Sequence, residues 1–188
     1  MPDEIMQEIA DSISWWLIAA SKFLDLHDSA LLDMCCRILA LPLDLGSGVF
    51  RHQEHMVHPV HDAVNHPVGH VTRVLLDLWF KGEPNDDEGL PESIKPLFTA
   101  LSDIEVERFR HGRVLLASRL IALFRVDQAW TEKHLLPLFD WSTNPDEARA
   151  VWEGFLWSPR LYPPLLLAIR SPFLETAGHY SELGEHGT

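Results

Sequence analysis

Six of the chain's 11 histidines fall in one stretch, RHQEHMVHPVHDAVNHPVGH, at His52, His55, His58, His61, His66 and His70. Imidazole is the commonest transition-metal ligand, and Glu54 and Asp62 add oxygen donors beside it. The chemistry such a set could support is metal-dependent hydrolysis. Zinc or another divalent transition metal would then sit on His52, Glu54, His55, His58 and His61. The spacing matches no established ligand pattern. H-E-x-x-H is absent, and the inverted form H-x-x-E-H meets Arg51 where its first histidine should stand. His52-x-Glu54 matches the opening of a zinc-deaminase signature, but the P-C-x-x-C that must follow is missing. Pro59 and Pro67 interrupt the stretch, so one continuous helix cannot present the ligands. The three-residue spacing from His52 to His61 fits one side of an extended or turn-like segment. Several imidazoles charging together below about pH 6.5 would make a pH sensor, a third use of the same residues.

Other reactive arrangements fail on their spacing. There is no G-x-x-x-x-G-K-S/T loop for a nucleotide, and Gly46-Ser47-Gly48 lacks the third glycine of G-x-G-x-x-G, a position held by Arg51. No G-x-S-x-G elbow raises a serine nucleophile. Cys35 and Cys36, the two cysteines, are adjacent and read as two buried helix residues in a reducing compartment.

Two further classes of residue bind rather than react. Arg108, Arg110, Arg113, Arg119 and Arg125 place five of the 15 basic residues on one helical segment. Arg108, Arg110 and Arg113 are candidates to hold an anion. The favoured reading pairs these arginines with acids of neighbouring helices and lays their stems over apolar surface. Of the seven tryptophans, most should be core; Trp141, Trp152 and Trp157, with Arg160, are candidate anchors for a protein partner.

The elements that must carry these residues are helices. Ile5, Ile9, Ile13, Trp16, Ala20 and Leu24 recur at helical spacing and predict one face of a first helix opened by Asp3. A second helix runs from about Ser29 to Leu41 and stops at Pro42. Pro67 stands where a first helical residue would, and Val68, Val71, Leu75, Leu78 and Trp79 line the face that follows. KGEPNDDEG reads as an exposed, solvated loop. A short helix from Leu90 leads into a long one, roughly Ile104 to Val126. Asp127 opens the next, which Pro137 must kink or end. Asn144, Pro145 and Glu147 form a cap, first-turn proline and capping box, and Ser158-Pro159 and Ser171-Pro172 repeat the cap-then-proline signal. Period-two alternation is almost wholly missing. These signals predict an all-α chain of about eight or nine helices. An irregular α-solenoid or helical array is favoured over a compact orthogonal bundle. The chain reads as one domain, 1–188, with a division into 1–80 and 90–188 around the 81–90 loop as the alternative.

Composition agrees with a folded chain of 188 residues, 46% hydrophobic and 23% charged. Disordered chains are poorer in apolar residues than this. No apolar run reaches the ~20 residues of a membrane helix, and the acidic start is no secretory signal. A formal charge of −13 repels phosphate backbones and anionic lipid, which argues against nucleic acid and membrane as partners. A cytoplasmic setting follows.

The segments NHPVGHVTRVLLDLW, RHGRVLLASRLIALFRVDQAWTEKHLLPLFDW and ARAVWEGFLWSPRLYPPLLLAIRSPFL resemble the bacterial domain-of-unknown-function family 4020. The resemblance spans roughly residues 60 to 185, and W-E-G-F-L-W-S-P-R, Trp152 to Arg160, is its most specific piece. It implies a helical region of the kind found at the C-terminal end of large bacterial proteins. Some of those carry a sirtuin-type NAD-consuming domain and are associated with defence against phage. That domain's NAD-binding and catalytic elements have no counterpart in this sequence, and the resemblance assigns no catalytic residue. The leading expectation is a non-enzymatic scaffold or protein-recognition domain without a cofactor. Its partner would be another protein or the remainder of a larger chain, and a homo-oligomer is compatible with it. The alternative is the metal-dependent hydrolase.

Overall fold

Proline and side-chain caps open most of the helices. In the computed structural model the described residues are 3–43, 58–157 and 160–183. They form twelve α-helices: α1 (Asp3–Glu8), α2 (Ala10–Ala20), α3 (Ser29–Ala40), α4 (Pro59–Val64), α5 (Pro67–Lys81), α6 (Lys95–Leu101), α7 (Arg110–Ala117), α8 (Leu120–Val126), α9 (Gln128–His134), α10 (Pro145–Leu156), α11 (Pro163–Ala168) and α12 (Arg170–Thr176). Three 3-10 turns, Glu107–Phe109, Leu136–Phe139 and Ala177–Glu182, complete the set, and no strand occurs among the described residues. The chain is all-α. Proline occupies the first turn of α4, α5, α6, α10 and α11, where its missing N–H has no helical partner to lose. Asp28, Asp127 and Asn144 each accept a backbone N–H of the first turn they cap.

Several predicted elements differ in detail. The long helix expected over 104–126 is a 3-10 turn followed by α7 and α8, broken at Ser118–Arg119. There the Ser118 hydroxyl donates to the Leu115 carbonyl at 2.6 Å and Arg119 N–H bonds three residues back to Leu116. The last turn therefore tightens and ends. This break, another at Ile9 and the unpredicted α4 turn the eight or nine expected helices into twelve shorter ones. Pro172 lies third in α12 rather than opening it, a position whose N–H is still unpaired in any helix. Ser158-Pro159 lies outside the described residues. The histidine-bearing 59–64 stretch is helical, not extended.

On α1 and α2 the buried face is Met6, Ala10, Ser14, Leu17, Ile18 and Ser21, whereas Ile5, Ile9 and Trp16 of the predicted face are exposed. Two neighbouring stripes of this helix pair are apolar, and periodicity alone does not choose between them. On α5 the predicted face is buried throughout. Cys35 is buried, and burial pushes its thiol up to about 12. Cys36 is exposed, contrary to expectation, because each further helical position turns away by about 100°.

One hydrophobic cluster runs from Met6 to Ile169 and draws on helices from both sides of the 81–90 loop. α7 lies at its centre, packed by α4, α5 and α10. A Cβ added at Gly154 of α10 would sit 2.3 Å from the Val114 carbonyl oxygen, so α7 and α10 touch backbone to backbone. No helix among the described residues is long and apolar enough to cross a membrane.

Candidate functional site

The described histidines diverge. His58 and His61 are on the surface at α4, whereas His66 and His70 point into the core from α5. His66 caps α5, its Nδ1 accepting the Val68 N–H at 3.1 Å, and its ring stacks on that of His111 with centroids 3.9 Å apart. Among the described residues no three His, Cys, Asp or Glu side chains gather as a metal would require. His52, Glu54 and His55 of the expected ligand set lie outside those residues.

His70 makes a contact that has the form of a catalytic pair. Its Nδ1 lies 2.7 Å from Ser14 Oγ on α2, and its Nε2 lies 3.0 Å from the Val64 carbonyl. A carbonyl only accepts, so Nε2 carries the proton and Nδ1 of the neutral ring is an acceptor for the Ser14 hydroxyl, whose one proton it shares with the Asp11 carbonyl at 2.9 Å. Burial pushes His70 down to about 4; the bond to Val64 opposes that shift and the Arg73 charge adds to it. A neutral imidazole bonded to a serine resembles a nucleophile and its base. Ser14 and His70 are 0% and 1% exposed, however, and the Trp15 ring packs 4.4 Å from the imidazole. The pair ties α2 to α5 where no substrate reaches it.

The arginine segment divides at the Ser118–Arg119 break. Ahead of it the side chains turn inward. Arg113, fully buried, holds Glu147 of α10 by two parallel bonds, Nε to Oε1 at 2.6 Å and Nη2 to Oε2 at 3.0 Å. Its Nη1 donates to the Asp103 carbonyl at 2.6 Å. Arg110 adds a bond to Glu147 Oε2 at 2.9 Å. Burial alone would push the Glu147 carboxyl up, but the two arginines outweigh it and hold it below the usual glutamate range. Arg108 reaches the Leu39 carbonyl at 3.4 Å and lies over the Phe109 ring. The anion that Arg110 and Arg113 bind is the chain's own Glu147, the pairing with an acid of a neighbouring helix. The capping box is also altered: Asn144 caps α10, but the Glu147 carboxylate is given to the arginines.

Beyond the break the arginines face outward onto a cleft of about 210 Å³. Its wall carries Arg119 and Arg125 at either end of α8, Phe80 of α5, Phe155 of α10, and Arg160 from the chain that follows α10. The Arg119 guanidinium lies 5.8 Å from the Phe80 ring centroid, over a ring 37% exposed. At that distance the cation is drawn to the face of the ring. Arg125 is bound by Asp86 of the acidic loop, Nη2 to Oδ1 at 2.8 Å. That loop is exposed as predicted, yet it is tied to the end of α8. Asp87 N–H donates to the Arg125 carbonyl and Gly89 N–H to that of Val126, each at 2.8 Å. The backbone contact at Gly154 lies one residue before Phe155, which lines the cleft.

The tryptophan candidates divide in the same way. Trp141 and Trp152 are 2% and 0% exposed, which removes both as surface anchors. Each indole N–H has an internal acceptor, Thr176 Oγ1 at 2.9 Å and the Phe139 carbonyl at 3.0 Å. Buried indoles usually find such a partner. Trp157 is 53% exposed, and Arg160 is exposed at the cleft. Sequence reasoning counted Arg119 and Arg125 without separating them from the inward arginines, and it missed Phe80 and Ser14. The Ser118 back-bond that divides the segment leaves no periodic trace.

The chain matches no protein-family model, no curated protein and no solved structure.

Proposed function

We propose that this chain is a non-enzymatic helical recognition domain that binds a protein partner, or the remainder of a larger chain, at the cleft between α5, α8 and α10. One contrast carries the reading. The pair with reactive chemistry, Ser14 and His70, is sealed in the core, while an open concave surface is lined by arginine, phenylalanine and aliphatic groups. Arginine and aromatic side chains are the types enriched where proteins meet. The resemblance of residues 60 to 185 to family 4020 supports the setting, an accessory part of a bacterial system of defence against phage.

The test is reconstitution. The chain is mixed with each purified protein encoded beside it, and the mass in solution is read by light scattering. Complex formation at fixed stoichiometry is the expected result. A mass that stays at the 21.5 kDa of one chain with all of them, together with turnover of an ester or phosphoester substrate, overturns the reading.

A further inference from the structure

Arginines of the described residues commonly have their charge answered within the chain. Arg73 pairs with Asp77, Arg110 and Arg113 with Glu147, Arg125 with Asp86, and Arg149 with Glu153. Arg119 and Arg160 have no carboxylate partner among the described residues, although the chain holds 28 acidic residues against 15 basic ones. Both line the same cleft. Two arginines without a carboxylate partner among the described residues thus line one cleft, with Arg119 lying over the half-exposed Phe80 ring, in a chain with acid to spare.

Resting on the recognition reading, we infer that this cleft binds an acidic peptide segment of the partner, a glutamate or aspartate side chain set beside an apolar one. Three features select that occupant. A guanidinium offers parallel N–H donors that match a carboxylate, and the weak hydration of arginine makes the exchange of water for carboxylate favourable. The Phe80 ring and the aliphatic side chains of Ile121 and Ala122 give an adjoining apolar residue a surface to cover. The volume, about 210 Å³, suits one or two side chains. Pockets that enclose whole small molecules run to roughly 300–1,000 Å³. A long phosphate backbone would meet the net charge of −13, whereas a short segment meets only the cleft. Asp86 at the rim is neutralised by Arg125 and leaves the field to Arg119 and Arg160.

The experiment measures binding of labelled peptides to the full chain by fluorescence anisotropy. The probes carry Glu-Phe-Glu, Gln-Phe-Gln or phosphoserine-Phe-phosphoserine at their centre, and inorganic phosphate serves as competitor. The Glu-Phe-Glu peptide binds, the Gln-Phe-Gln peptide does not, and affinity falls as salt rises from about 50 to about 500 mM. Arg119→Ala and Arg160→Ala each weaken binding about fivefold, the effect of one partly exposed ion pair. Arg73→Ala, away from the cleft, leaves it unchanged. Equal binding of the glutamine peptide, no effect of the two cleft variants, or binding of the phosphorylated peptide or phosphate alone overturns the inference. A charge swap guards against misfolded variants: Arg119→Glu should prefer Lys-Phe-Lys to Glu-Phe-Glu. Loss of both peptides with the wild-type melting temperature retained also overturns it. The two readings fail separately. A reconstituted complex indifferent to Arg119→Ala and Arg160→Ala sinks the cleft and leaves recognition standing. Peptide binding without any whole-protein complex does the reverse.

Discussion

Replacing Glu147 by glutamine keeps the shape of the side chain and removes the charge that two arginines share. In the native fold its carboxylate accepts Arg113 Nε at 2.6 Å, Arg113 Nη2 at 3.0 Å and Arg110 Nε at 2.9 Å. Glutamine offers one acceptor oxygen, and its NH2 group is turned toward guanidinium donors. Arg113 is left fully buried with no counter-charge, answered by that one amide oxygen and the Asp103 and Val106 carbonyls. Breaking a buried pair from one side costs about 3–5 kcal/mol, because an uncompensated charge stays inside. For a chain of this size that lowers the melting temperature by about 10 °C. Urea and thermal denaturation at pH 7 measure it. The double replacement Arg113→Met with Glu147→Leu should cost less than either single change, since it removes both charges. The wild-type contribution is full above the ordinary glutamate value of 4.5 and is lost as pH falls through the lowered native value. A Glu147→Gln protein within about 1 kcal/mol of wild type, or single changes that simply add, would refute the argument that this pair anchors α7 to α10.

His70 makes stability fall in a second acidic window. Its ring is neutral in the fold, so the unfolded chain binds more protons between pH 6.5 and about 4. Trp15, which covers the ring, is itself 49% exposed, so solvent screens part of the effect. The contribution that remains is about 2 kcal/mol. It is full above pH 6.5 and gone near pH 4. Denaturation at pH 7.5 and 4.5 should show it, and His70→Gln should flatten the difference; an unchanged slope would count against it. Gly154→Ala should cost about 1–3 kcal/mol by forcing α10 away from Val114. It should also weaken Glu-Phe-Glu binding by moving Phe155. Unaltered melting and binding would show that the helices can part without cost.

Where one physical effect decided a structure, the sequence was readable. Pro67 with Val68, Val71, Leu75, Leu78 and Trp79 marked α5 and its buried face, because a first-turn proline and a single apolar stripe agree. Asn144, Pro145 and Asp127 marked their helices for the same reason. On α1 and α2 two stripes compete, and the choice falls on the one that brings Ser14 to His70 and the Lys81 ammonium to the Ser21 and Leu24 carbonyls. Those partners are 56 to 60 residues away, beyond any local pattern. The cleft was half legible: the arginine density was plain, but which of them face outward depends on the Ser118 break and on Glu147, 34 residues from Arg113. The tryptophans could not be sorted, since an indole is equally at home in a core and at an interface.

The Arg113–Glu147 bond also orders events in time. Glu147 is synthesised 34 residues after Arg113. At the usual rate of translation that delay is roughly 2–7 s. Through that interval α7 has its arginine and no acceptor carboxylate, so it cannot be buried at low cost against α4 and α5. The contact of α7 with α10, and the ion pair within it, must wait for the ribosome to supply α10. During that wait the apolar faces of α5 and α7 are open together, which is when a growing chain is most exposed to capture by chaperones or by its own neighbours on the polysome.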